Sequence, residues 1–128
     1  MTIILDSGGL SALAGQRARL AELRRRGHWP PQIASVVLAE ALTGDHRRDF
    51  HANRMVRMSQ VHDVTEALAR DAARLRTRTG RAGTISAVDS IVAALATGFV
   101  DSVVLTSDPR DLSDLVAGHP NRVTIARA

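Results

Sequence analysis

Apolar and polar positions alternate between two periods along the chain. Thr2 to Leu5 is a short continuous apolar run that stops at Asp6, the pattern of a buried strand. Ser7 to Ala14 can open a helix despite Gly8 and Gly9. Arg17 to Gly27 continues helically, with Leu20 and Leu23 turned inward and Arg24, Arg25 and Arg26 in the last turn, where the helix dipole favours cations. Gly27 is a stop, and Pro30 and Pro31 break the chain. Gln32 to Ala34 reads as a short strand, followed by a helix over Val36 to Thr43 capped by Ser35. Asp45 is expected to cap a longer helix over His46 to Met58.

The second half repeats the alternation. Val61 to Val64 is a strand candidate, and Thr65 with Ala67, Leu68, Ala72 and Leu75 marks a helix with one apolar stripe. Arg74 to Gly83 is the helix end and an Arg/Gly-rich loop. Ser86 caps a helix whose Val88, Ile91, Val92 and Leu95 recur at helical spacing. Ser102 to Thr106 is a strand, Asp108 opens a helix to about Ala117, and Val123 to Ala126 is a last strand. Strands and helices alternate throughout. The expected fold is therefore α/β, a mainly parallel sheet with helices on both faces, forming one domain over residues 1–128.

Composition narrows the chemistry. Aromatics are 2% of residues, so the core must be aliphatic. Without cysteine there are no disulfides, thiolate zinc sites or cysteine nucleophiles, and the chain suits a reducing compartment. No run reaches membrane-span length, and Met1 to Leu5 lacks the make-up of a signal peptide, so a soluble, cytoplasmic protein without a membrane role is expected. The net charge is +4, and all 17 basic residues are arginine. Arginine offers phosphate a planar bidentate fork, so this surface favours nucleic acid or an acidic partner. Arg24–Arg26, Arg47–Arg48 and Arg74–Arg81 are the clusters that would serve, although each also suits a solvated helix face.

Five acids stand out against this background. Asp6 ends an apolar strand and also fits a helix cap. Glu40 is the lone charge in SVVLAEAL, a segment apolar enough to be buried on most sides. Asp89 lies three residues after Ser86, as in a variant capping box, and flanks the apolar stripe. Asp108 precedes Pro109 as an N-cap should, and Asp111 sits in the first turn beyond, so capping alone accounts for both. In an alternating fold these positions can converge at the carboxyl edge of the sheet. Packed carboxylates repel, and a divalent cation relieves the conflict. Oxygen-only ligands select hard ions such as Mg²⁺ or Mn²⁺.

With IILDSGGLSAL, ASVVLAEAL, SAVDSIVAALA and VVLTSDPRDL in this order, the chain resembles the PIN-domain ribonucleases, and within them the VapC-type toxins of toxin–antitoxin systems. Each motif is short and unspecific; the ordered set covers essentially the whole chain. The resemblance implies an α/β/α sandwich whose acidic pocket binds one or two Mg²⁺ or Mn²⁺ ions and cuts RNA. By position the acids are Asp6, Glu40, Asp89 and Asp108, with Asp111 a weaker fifth and Ser7 the hydroxyl after the first Asp. Metal held by Asp6, Asp89 and Asp108 would activate water, with Glu40 orienting a water or holding a second ion. The resemblance also implies a homodimer silenced by a small antitoxin. Gly8-Gly9 departs from the bulkier residues common there and is expected to loosen the first helix.

Other classes fare worse. A response-regulator receiver needs a lysine and adjacent acids after its first strand, and this chain has neither. There is no helix-turn-helix pattern, G-x-S-x-G, H-E-x-x-H, Walker loop or G-x-G-x-x-G. The five histidines are scattered, and Trp29 beside Pro30 reads as a packing plug. The alternative kept open is a catalytically inactive PIN-like module that binds RNA or a protein partner.

Overall fold

A computed structural model describes all residues, 1–128, as five strands and seven helices. The strands are β1 (Thr2–Leu5), β2 (Gln32–Ala34), β3 (Gln60–His62), β4 (Asp101–Thr106) and β5 (Arg122–Arg127). All pair in parallel, in the order β3-β2-β1-β4-β5. The chain steps outward from β1 to β3, then crosses back to lay β4 against the other side of β1. The direction of winding therefore reverses between β1 and β4, and a crevice opens there at the carboxyl ends of the strands.

The helices are α1 (Ser7–Ala14), α2 (Arg17–Arg25), α3 (Val36–Ala41), α4 (Phe50–Arg57), α5 (Glu66–Arg78), α6 (Ala87–Thr97) and α7 (Pro109–Val116). Right-handed crossovers put α1 to α4 on one face and α5 to α7 on the other, and the packing partners agree: α1 lies against α2, α3 and α4, while α6 lies against α5 and α7. A sheet covered on both faces needs near-continuous apolar strands. Ile3, Ile4 and Leu5 of β1 and Val104 and Leu105 of β4 are accordingly buried, with Val92, Ala93 and Ala96 of α6 packed into the same core.

Several expectations from local pattern are corrected. The helix expected from His46 begins at Phe50, because Asp45 caps only a turn: its carboxylate accepts the N–H groups of Arg47 and Arg48. Asp49 is the buried acid here, accepting from Thr43 N–H, Thr43 Oγ1 and Gly44 N–H at 2.9 to 3.0 Å. These bonds, led by that from the Thr43 backbone, hold its carboxyl below the usual range. Ser35 has helical dihedrals and makes no capping bond, and α3 ends at Ala41 rather than Thr43. The strand expected over Val61 to Val64 occupies Gln60–His62. Thr65 and Ser86 cap as expected, accepting from the Leu68 and Asp89 N–H groups.

Candidate active site

Asp6 sits where β1 passes into α1, at the reversal point of the sheet. The register pairs Leu5 with Leu105, so the next residues, Asp6 and Thr106, stand side by side. Asp6 Oδ1 accepts the Gly9 N–H at 2.8 Å, which is the expected N-cap. Asp6 Oδ2 accepts from the Thr106 hydroxyl, and the same hydroxyl oxygen accepts the Asp108 N–H at 3.1 Å. Both residues are buried. Local pattern did not single out Thr106; the signal was an apolar strand ending in a hydroxyl, but its partner becomes visible only through the β1–β4 register.

The two glycines after Asp6 work against the expectation of a loosened helix. A Cβ at Gly9 would lie 2.2 Å from the Leu105 carbonyl oxygen, and one at Gly8 would lie 2.2 Å from Ser107 Oγ and 2.8 Å from its backbone nitrogen. Only glycine lets α1 press against the end of β4. Gly8-Gly9 thus draws the Asp6 strand end and the Thr106–Asp108 strand end together, and α1 runs unbroken to Ala14.

Asp89 enters from the opposite face of the sheet, in the first turn of α6, half-buried. Burial raises its carboxyl above the usual range; Ser86 opposes this with a hydrogen bond, while the negative charges of Asp6, Asp111 and Glu40 push it further up. Four acids drawn from β1, α3, α6 and α7 therefore share one electrostatic neighbourhood. Asp108 stands at the entry to α7. It has the extended backbone of an N-cap with Pro109 following, yet its carboxylate makes no capping bond, which corrects the reading of that acid as a cap.

Glu40 corrects another expectation. It is exposed rather than buried, because α3 is only six residues long and buries Val37 alone. Neither the Glu40 nor the Asp108 carboxylate accepts a hydrogen bond, whereas both Asp6 oxygens do. No group of three or more His, Asp or Glu side chains is gathered closely enough to hold a metal ion. The acids share an edge and a field without closing into a ready cage.

The arginines divide into bound and free. Arg25 and Arg26 pair with Glu22, and Arg24 lies over the Trp29 ring at 4.8 Å. Arg74 pairs with Asp71, and Arg76 Nε donates to the Ile85 carbonyl at 2.7 Å. Arg81 pairs with Asp111 at 2.8 Å and with Asp114, and these bonds raise its already high pKa. Of the expected clusters only Arg47–Arg48 is free of acidic partners throughout, exposed just beyond α3.

The fold is one seen in solved structures. A chain of the DNA-bound VapBC crystal structure from Salmonella typhimurium matches with a TM-score of 0.70 at 18% identity, over 99% of this chain and 98% of that one. A chain of VapBC2 from Rickettsia felis, bound to a promoter DNA fragment, matches at 0.67 and 15% identity, over 100% and 99%. A chain of FitAB bound to the IR36 DNA fragment matches at 0.64 and 18% identity, over 98% and 94%. No family model matches the sequence, and no curated protein matches it. The α/β architecture with a parallel five-stranded sheet is thus the fold of these VapBC and FitAB chains. No helix is long and apolar enough to cross a membrane.

Proposed function

We propose that the chain is a metal-dependent endoribonuclease, the toxin of a cytoplasmic toxin–antitoxin pair, acting through an acidic pocket that takes Mg²⁺ or Mn²⁺. One observation carries the reading: a partly buried Asp89 lies within the field of three further carboxylates at the reversal point of the sheet. Such a cluster is unfavourable by itself and favourable around a hard cation. The donor set is oxygen only and suits those ions. Asp6, Asp89 and Asp108 would hold the ion, with Glu40 turning inward from its exposed position.

When bound, such an ion supplies Lewis acidity that activates water and offsets the charge of a phosphodiester. The chain's own residues do the rest. Thr106 and the Gly9 N–H fix the Asp6 carboxylate, so its oxygens need no reorganisation. Asp89, its carboxyl pushed up by burial and by its acidic neighbours, would be favoured in its ionised form by the cation. Arg47 and Arg48 beyond α3, and Arg110 beyond Asp108, are free cations flanking the acids in the chain and would hold RNA phosphates. The structural likeness to VapBC and FitAB assemblies supports an antitoxin partner, and this reading further includes a homodimer.

The test pairs two assays. Purified protein should cleave RNA with Mg²⁺ or Mn²⁺ and lose that activity with EDTA or with Asp6→Asn. Cleavage that survives both removes the reading. A second reading, a catalytically inactive module that binds RNA or protein, draws on the absence of a closed three-ligand cage. It predicts RNA binding without cleavage whatever metal is supplied.

A further inference from the structure

The last strand brings an arginine to the sheet's carboxyl edge that no acid holds. Arg127 pairs in register with Thr106, whose hydroxyl donates to Asp6. The ladder continues past it, with the Ala128 N–H donating to the Thr106 carbonyl at 2.8 Å. Strand side chains lean along the strand direction. Arg127 does so beyond the end of β4, where its Nη1 donates to the Ser107 carbonyl at 3.0 Å. Ser107 is the residue packed against Gly8, and Asp108 follows it. The guanidinium therefore lies at the same end of the sheet as Asp6.

Its charge is not neutralised. The ion pairs of the molecule engage Arg25, Arg26, Arg70, Arg74 and Arg81, and none engages Arg127. A guanidinium has several N–H donors. Here one is taken by a neutral carbonyl, the side chain is exposed, and the other donors face solvent. The bond to Ser107 accounts for the direction of the side chain and leaves its charge free. An arginine oriented in this way gives up less freedom when it meets an anion with paired oxygens. Arg110, likewise exposed and unpaired, comes two residues after Asp108. The strand end thus carries two free cations, which suits a polymer with a charge on every unit.

We propose that Arg127 holds an RNA phosphate at the β4–β5 strand end, so that the substrate backbone passes over Ser107 beside Asp108. This rests on the RNA reading above and deepens it by naming a residue that binds the substrate. Arg122 supplies the contrast. It opens the same strand and is also exposed and unpaired, but lies five residues away. That is about 17 Å at the rise of a strand, beyond the reach of a screened charge at physiological salt.

The experiment titrates the full chain into a short labelled single-stranded RNA in EDTA, so that the RNA stays whole, across about 50 to 200 mM salt. Arg127→Gln should weaken binding about five- to tenfold and reduce the slope of log affinity against log salt by about 0.7, as loss of one phosphate contact does. Arg122→Gln should stay within about twofold of wild type. Arg127→Lys should recover the slope but only part of the affinity, because it keeps the charge and loses the fork. This arm decides even where Arg127→Gln loosens the strand end. In Mg²⁺, the Arg127→Gln loss should fall on KM, with kcat within about threefold of wild type. Equal losses in Arg122→Gln and Arg127→Gln, an unchanged salt slope, or Arg127→Lys as weak as Arg127→Gln overturns the assignment and leaves the RNA reading standing. A fall in kcat with KM unchanged does the same, as the mark of a clip that only shapes the strand end. Polyglutamate that competes as well as unlabelled RNA gives the residue to an acidic protein instead. No RNA binding by wild type overturns the RNA reading, and this assignment with it.

Discussion

The acidic edge has two unlike walls. On one, Asp6 is buried at the end of β1, both of its oxygens accept hydrogen bonds, and glycines hold the neighbouring strand end against it. On the other, Glu40 and Asp108 are exposed and their carboxylates accept none. The difference follows from location. Asp6 leaves the central strand, where every polar atom must find a partner. Glu40 rides a six-residue helix at the rim, and Asp108 follows a strand into solvent. A site with one fixed wall and one adaptable wall can be preorganised at its anchor while still admitting a bulky chain such as RNA.

The largest expected effect breaks the fixed wall from behind. Gly9→Ala places a methyl 2.2 Å from the Leu105 carbonyl, so α1 and β4 must part; urea unfolding should show a loss of about 3 kcal/mol or more. Gly15→Ala, at the other end of α1 with nothing within 4 Å, should be neutral or gain up to about 1 kcal/mol. Equal losses at the two sites would remove the close approach as the reason for the Gly8-Gly9 pair.

Next comes the anchor's own partner. Thr106→Val keeps the shape, removes the donor to Asp6 and strips the Asp108 N–H of its acceptor. It should cost about 1–3 kcal/mol of stability and weaken Mn²⁺ binding about 10–100-fold, as loss of a ligand's supporting hydrogen bond does. Unchanged Mn²⁺ affinity would show that Asp6 needs no such support.

Two acids outside the fixed wall respond oppositely to pH. Asp89 keeps its proton to a higher pH in the folded chain than in the unfolded one. Its share of ion-free stability is full below the ordinary carboxylate range and is lost as pH rises through its raised pKa; a bound cation restores it. Asp89→Asn should therefore stabilise the ion-free protein at neutral pH while ending stabilisation by Mn²⁺. Asp49, held below its usual range by Thr43 and Gly44, contributes above the ordinary carboxylate range and loses that contribution as pH falls through its lowered pKa. Urea midpoints across pH 3 to 8, with and without Mn²⁺, separate the two.

The smallest effect tests the open wall. Asp108→Ala and Glu40→Gln should each shift stability by less than about 0.5 kcal/mol. Loss of a true N-cap would cost about 0.5–2 kcal/mol. A loss in that range for Asp108→Ala would return Asp108 to the role of a cap and weaken its place among the acids.

Much of the frame was legible in the order of residues. The strand runs TIIL, QIA and SVVLT, the Thr65 and Ser86 caps, and the Gly27 stop depend on contacts within a few residues, so local pattern suffices. Asp45 misled because a capping carboxylate closes a turn as readily as it opens a helix, and the distinction lay four residues on, in Asp49. Glu40 misled because burial of α3 is set by its neighbours, not by its own apolar content.

By itself, then, the amino-acid sequence determined an alternating α/β chain, an aliphatic core, an arginine surface and a short roster of acids at element ends. Those follow from period, capping and composition, which act over one or two turns. Only the tertiary structure decided which acids meet. The β1–β4 register set Thr106 on Asp6; the packing of α1 on β4 made Gly8 and Gly9 a clamp; and the loop after α5 gave Arg81 to Asp111. The physical reason is range: Asp6 and Thr106 are a hundred residues apart, and no local preference knows of a partner that the sheet alone brings near.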